Sequence, residues 1–160
     1  VNVRHILLQP ESGKIAQGED GYEEEQAKLK EEAKAKAEDL LAQWKAGAAT
    51  EDSFAQLAKE NSVDGGSQAN GGLYEQVYQG QMVPTFNDWC FDSSRKAGDT
   101  GVVETDYGCH IMYFVGENLP YWQVQADSTL RNRDFGTWYD GAIAGYTGEA
   151  AGGVKYVSAS

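Results

Sequence analysis

Basic residues are scarce: 13 Lys and Arg stand against 25 Asp and Glu, a formal charge of −12, with pI near 4.5. A polyanion would meet repulsion, which argues against nucleic acid as a partner. Long apolar runs are missing too. No stretch approaches the ~20 residues that span a bilayer, so membrane insertion by this chain is not expected, and no charged, apolar, small-residue signal pattern opens it. Cysteine is limited to two residues, too few for a disulfide framework, and their spacing leaves even one bond open. There are only three prolines and two histidines. The chain starts at Val1, without a methionine and directly in an apolar run, which reads as an excised fragment or mature form from which an anchor or signal has been removed. Its 160 residues suit one domain with a real core plus an appendage.

What is present divides by period. "VNVRHILL" is an extended, β-branched run and reads as a buried strand. A polar loop follows, "QPESGKIAQGEDGYEEE", whose acidic end suits a helix start. From about Tyr22, Leu29, Ala33, Ala37, Leu40, Leu41 and Trp44 recur at helical spacing up to Gly47, a good stop. A shorter helix is expected from Thr50, as cap, to Asn61, with Phe54, Leu57 and Ala58 inward. "VDGGSQANGG" breaks all regularity. "LYEQV" reads as a strand and "VPTFNDWCFD" as a helix entered through Pro84. "TGVVET" and "CHIMYFVG" complete two strands around a tight turn at Asp106, Tyr107 and Gly108. One long crossover followed by short connections implies an α+β domain on a small mixed or antiparallel sheet. It should end near Glu117. Beyond it, Asp127 to Ile143 forms a polar helix candidate that carries Leu130, Phe135, Trp138, Tyr139 and Ile143, then a Gly- and Ala-rich tail. Gly136 and Gly141 weaken that helix by about 1 kcal/mol each relative to Ala. So many aromatics without a partner in the domain suggest docking on something outside the chain.

Chemistry-bearing residues are few. His5 lies in the first strand and His110 in the last, and these two strands are often central neighbours, which would bring the imidazoles together. On their own, the pair reads equally well as core histidines satisfied by neighbouring hydroxyls. A thiol hydrolase would pair a cysteine with a base, yet Cys109 and His110 are adjacent on a strand and point to opposite faces. Cys90 with His110 is the residual option. A metal is not expected, because no ligand-spacing signature accompanies the histidines, and no cofactor is implied.

The pieces "RHILL", "FAQLAKENSVD", "SQANGGL", "GQMVPTFNDWCF" and "GDTGVVETDYGCHIMYFVG" occur in an order and combination that resembles the parvulin-type peptidyl-prolyl isomerases, over roughly Val1 to Gly116. The likeness is greatest to the bacterial extracytoplasmic foldases of the PrsA/SurA kind, where an isomerase domain is inserted in a helical chaperone domain. The resemblance implies a parvulin-like four-stranded sheet surrounded by about four helices. Residues 1–117 would be the isomerase domain. Residues 118–160 would be a C-terminal helical extension and flexible tail, part of a chaperone domain whose first half is absent, and the helix would dock on that domain or on a second copy.

By position, the resemblance assigns His5, His110 and Thr105 to the histidine motif and Asp64 to the polar site facing the rotating peptide bond. Leu73, Met82 and Phe86 match the apolar pocket for the proline ring, which periodicity alone would call plain core. Two departures bear on substrate preference. "YEQVYQ" is one residue longer than usual, leaving open whether Val77 or Tyr78 forms the aromatic wall, and Tyr107 stands where a small hydroxyl residue is often found. The implied activity is non-covalent rotation of X-Pro bonds in unfolded or secreted polypeptide clients on the outer side of a bacterial membrane, with lipid anchoring a feature of the full-length protein. The alternative is a non-catalytic chaperone module, or an interaction domain, with the same fold. Phosphate specificity is not expected, since the loop after the first strand holds Lys14 as its only base against six acids.

Overall fold

The computed structural model describes residues 1–145, so the Gly- and Ala-rich tail expected beyond Ile143 lies almost wholly outside the described residues. The chain divides into two compact units, Val1–Leu119 and Pro120–Ser160.

In the first unit, β1 (Asn2–Leu8) is followed by α1 (Tyr22–Ala46), α2 (Glu51–Asn61), β2 (Leu73–Tyr74), α3 (Pro84–Cys90), β3 (Thr100–Thr105) and β4 (Gly108–Gly116). The sheet is antiparallel throughout, in the order β2-β1-β4-β3, so the first and last strands are the central pair, as expected. Side chains alternate across this sheet, and each face builds its own core. Ile6, Leu8, Cys109 and Ile111 pack under α1 and α2 with Ala37, Leu41, Phe54 and Ala58. On the other face Val3, Val103, Met112 and Phe114 pack with Val77 and with Phe86 and Cys90 of α3.

Local chemistry accounts for the helix ends. Thr50 caps α2 in a reciprocal box with Ser53: the Ser53 N–H donates to Thr50 Oγ1 at 3.2 Å and the Thr50 N–H to Ser53 Oγ at 3.0 Å. Glu23, Glu24 and Glu25 occupy the first turn of α1, favourable at the positive end of its dipole.

Three expectations shift. The strand read from "LYEQV" is only Leu73–Tyr74, because Gln76 adopts a left-handed φ of 56° that breaks the pleat and turns Val77 into the core. The irregular "VDGGSQANGG" contains a 3-10 turn at Gln68–Asn70. At its end Gly72, with φ +73°, lies so close to the His5 carbonyl that a Cβ would collide with it. In the second unit, α4 spans Tyr121–Ile143 rather than starting at Asp127. Pro120 ends the preceding segment and its carbonyl accepts the Gln123 and Val124 N–H groups, so the first turn forms earlier. Trp122, Leu130, Phe135, Trp138, Tyr139 and Ile143 of α4 are all exposed.

Candidate active site

Register places the histidines. Leu7 pairs with His110 and His5 with Met112, so His5 and His110 are diagonal neighbours on the central strands, both on the α3 face. Both are buried, and their Nδ1 atoms approach to 3.1 Å. At the far side of each ring lies a hydroxyl: Ser67 Oγ is 3.0 Å from His5 Nε2, and Thr105 Oγ1 is 2.9 Å from His110 Nε2. Phe86 meets both imidazoles edge-on, at 5.5 and 5.4 Å between centroids, while Tyr74 stacks on His5 at 4.8 Å.

Beyond Ser67 stands Asp64. Its Oδ2 accepts from the Ser67 N–H at 2.9 Å, the Ser67 O–H at 2.5 Å and the Tyr74 O–H at 3.0 Å. Burial pushes this carboxyl upward, but the Ser67 and Tyr74 hydrogen bonds and nearby His5 outweigh it and hold the pKa below the ordinary Asp value. The histidines go the other way from ordinary exposed imidazoles. Burial lowers His5 against the opposing pull of Asp64, and burial together with repulsion from His5 lowers His110 to about 4. At neutral pH the site therefore holds two neutral imidazoles and one carboxylate.

These groups floor one side of a cavity of about 300 Å³. Its apolar wall is formed by Leu7, Met82, Val83 and Phe86; Gln81 and the exposed ring of Tyr107 stand at its lip. A second cavity, of about 380 Å³, adjoins at Val83 and is lined by Thr85, Glu104, Thr105 and Asp106.

Of the residues singled out in the sequence, His5, Asp64, Met82, Phe86, Tyr107 and His110 line the first cavity. Thr105 does not line it and lies behind His110, hydrogen-bonded to its Nε2. Leu73 and Val77 do not line it. Leu73 pairs with Arg4, whose guanidinium reaches Glu51 of α2 on the opposite face of the sheet, so strand alternation gives the cavity to Tyr74 instead. Val77 is buried in the α3-side core, whereas Tyr78 is partly exposed; neither forms a cavity wall.

Sequence reasoning missed Ser67 and Tyr74. The D-x-x-S spacing of Asp64 and Ser67, an acceptor side chain three residues before an N–H donor, is a capping pattern that could have exposed the first. Tyr74 required the β1–β2 register. Cys90 and Cys109 lie in the two separate cores, on opposite faces of the sheet, and are free thiols. Cys109 thus points away from His110, which removes it as a nucleophile served by that imidazole.

An antiparallel four-stranded α+β domain with two facing histidines, a neighbouring carboxylate and an apolar cavity defines the class: a parvulin-like isomerase fold. The PPIC-type PPIase domain matches residues 1–117, and the chain belongs to that family. It is 37% identical to foldase protein PrsA 1 of Listeria innocua over 62 residues, 39% of this chain and 21% of that protein. It is 30% identical to the chaperone SurA of Pseudomonas fluorescens over 142 residues, 84% of this chain and 28% of that protein. The chain thus spans at most 28% of the length of these relatives. Among solved structures, PrsA of Bacillus anthracis shares the fold, with a TM-score of 0.53 at 22% identity over 82% of this chain and 48% of the other. Among the described residues no helix is long and apolar enough to cross a membrane.

Proposed function

We propose that the chain is an active peptidyl-prolyl cis/trans isomerase that turns X-Pro bonds in unfolded polypeptide clients. The observation that carries this reading is the apposition of an apolar cavity, walled by Met82 and Phe86, with a single ionised carboxylate, Asp64, whose side-chain hydrogen bonds among the described residues fall on Oδ2. Rotation about a prolyl amide must lose resonance, a barrier of about 18–20 kcal/mol. Each ~1.4 kcal/mol removed speeds it tenfold. The proline ring is held by apolar contact while the preceding carbonyl swings past the polar floor, and a site that favours the twisted amide over either planar form accelerates both directions. No bond is made to the protein. His5, His110 and Thr105 support the floor and Asp64 supplies its negative charge; Tyr107 at the lip contacts residues flanking the proline.

The loop from Gln9 to Gly21 supports a client without phosphate. Glu25 of α1 takes the backbone N–H groups of Lys14 and Ile15, at 3.0 and 2.9 Å, so a carboxylate already occupies the amides that an anion would use. The relatives are named foldase and chaperone, and the same role suits this chain: an extracytoplasmic protein, lipid-anchored at full length, with α4 docking on a chaperone domain or on a second copy. The SurA relative also favours the second reading, a peptide-binding chaperone module without turnover, since its likeness extends into α4. NMR exchange on a panel of X-Pro peptides separates the two. Accelerated cis/trans exchange supports the enzyme, and binding without acceleration supports the module.

A further inference from the structure

We propose that Ser67 is a positioning residue that sets the direction of every hydrogen bond between Asp64 and Thr105, and so fixes opposite tautomers on His5 and His110. Its effect on turnover rests on the isomerase reading; its effect on the tautomers does not.

The argument is a count of hydrogens. Ser67 Oγ and Asp64 Oδ2 are 2.5 Å apart, a separation that requires a hydrogen between them. Asp64 is ionised, since the same oxygen also takes the Ser67 N–H and the Tyr74 O–H, so that hydrogen belongs to Ser67. A hydroxyl has one hydrogen, and Ser67 can then only accept from His5. His5 therefore carries its hydrogen on Nε2 and presents a lone pair at Nδ1. His110 Nδ1, 3.1 Å away, must be the donor, and its Nε2 is left to accept the Thr105 O–H at 2.9 Å. Thr105 Oγ1 in turn accepts the Tyr107 N–H at 3.1 Å. Each donor thus finds one acceptor, and every side-chain hydrogen points from Thr105 toward Asp64.

The opposite order has a geometrical outlet at one end only. Thr105 could turn its hydrogen to the Gly108 carbonyl at 3.3 Å, freeing His110 Nε2–H and His5 Nδ1–H to donate the other way. Ser67 would then donate to His5, leaving its lone pairs against the carboxylate at 2.5 Å. That contact is repulsive unless Asp64 is protonated.

Ser67 cannot swing out of this position. It is 1% exposed, and its carbonyl accepts the Asn70 N–H at 3.0 Å and the Gly72 N–H at 2.8 Å. Gly72 in turn gives its carbonyl to the His5 N–H at 2.8 Å, so the turn that bears Ser67 is tied to the strand that bears His5. His5 Nε2 is also 3.3 Å from Asp64 Oδ2, so the carboxylate draws the same Nε2–H, and Ser67 Oγ at 3.0 Å is the nearer acceptor that holds it.

Long-range ¹H–¹⁵N correlation of the labelled protein at neutral pH tests this, since the only two histidines make the spectrum assignable. The expected result is the Nε2–H tautomer for His5 and Nδ1–H for His110. In Ser67→Ala the His5 ring nitrogens should shift toward values averaged between tautomers, and kcat/KM for an X-Pro peptide should fall about tenfold, in kcat rather than KM. Reversed or identical tautomers in the unmodified protein, or a Ser67→Ala spectrum unchanged from it, overturn the proposal. If Ser67→Ala does not fold, the unmodified spectrum decides alone. An inactive unmodified protein with the expected tautomers leaves the role of Ser67 standing and overturns the isomerase reading only.

Discussion

His5 and His110 face each other through Nδ1 atoms 3.1 Å apart, an arrangement that exists only because β1 and β4 are paired with Leu7 opposite His110. Each ring is an obligatory partner of the other. Replacing either with Ala leaves buried donors or acceptors unpaired, at about 1–3 kcal/mol per group. We expect His5→Ala and His110→Ala to be destabilised by a few kcal/mol in urea unfolding, with activity falling alongside. A His110→Ala protein of full stability but no activity would instead assign the imidazole a direct part in turnover.

Acid should weaken the fold through the same pair. His110 titrates near 4 in the native protein but near 6.5 when unfolded, so between these values the unfolded chain binds more protons. Stability is therefore present above pH ~6.5 and is lost as pH falls toward 4, by on the order of 3 kcal/mol at most. The lowered pKa of His5 acts in the same direction. Asp64, lowered from its ordinary 3.8, adds a further loss at still lower pH. Urea midpoints measured from pH 7.5 to 4 check the sign; a midpoint that rises on acidification contradicts it.

Met82 is the cleanest probe of the cavity, because it is only partly buried, whereas Phe86 is in the core and Phe86→Ala should also cost about 3–5 kcal/mol of stability. We expect Met82→Ala to lower kcat/KM at least tenfold with little loss of stability. Lys28→Ala, on an exposed face of α1, should be neutral. Equal turnover by both variants would move the proline site elsewhere.

Matched Ser-Pro and phospho-Ser-Pro peptides test the charge argument. The loop after β1 and the first turn of α1 set Lys14 against Glu11, Glu19, Asp20, Glu23, Glu24 and Glu25, and Glu25 holds the loop amides. A dianionic phosphate should bind more weakly than the free hydroxyl, and basic or neutral residues before proline should be tolerated best. Faster turnover of the phosphopeptide would refute this.

Cys90 and Cys109 should resist thiol reagents in the native protein and react fully once it is unfolded without reductant. Both are buried, and burial pushes the Cys90 thiol up to about 12 and raises Cys109, so little thiolate is available. Zero thiols under denaturing conditions would show a bond that their placement in separate cores excludes.

The sequence by itself determined the order and kind of the long elements. The helical period from Leu29 to Trp44, the Thr50 cap and the alternation along "CHIMYFVG" are local properties, and α1, α2 and β4 follow them closely. His5, Asp64, Met82, Phe86, Tyr107 and His110 were also legible, because the motif order that contains them is itself local in sequence. Only the tertiary structure decided the rest. Leu73 was assigned to the cavity and Tyr74 occupies it, since which face a two-residue strand presents depends on its register against β1 and not on its own residues. Ser67 joins Asp64 to His5, 62 positions away, through a turn whose place is set by the close approach of Gly72 to the β1 backbone. Hydrophobic pattern specifies faces, but the partner of a polar atom is chosen by how those faces are brought together.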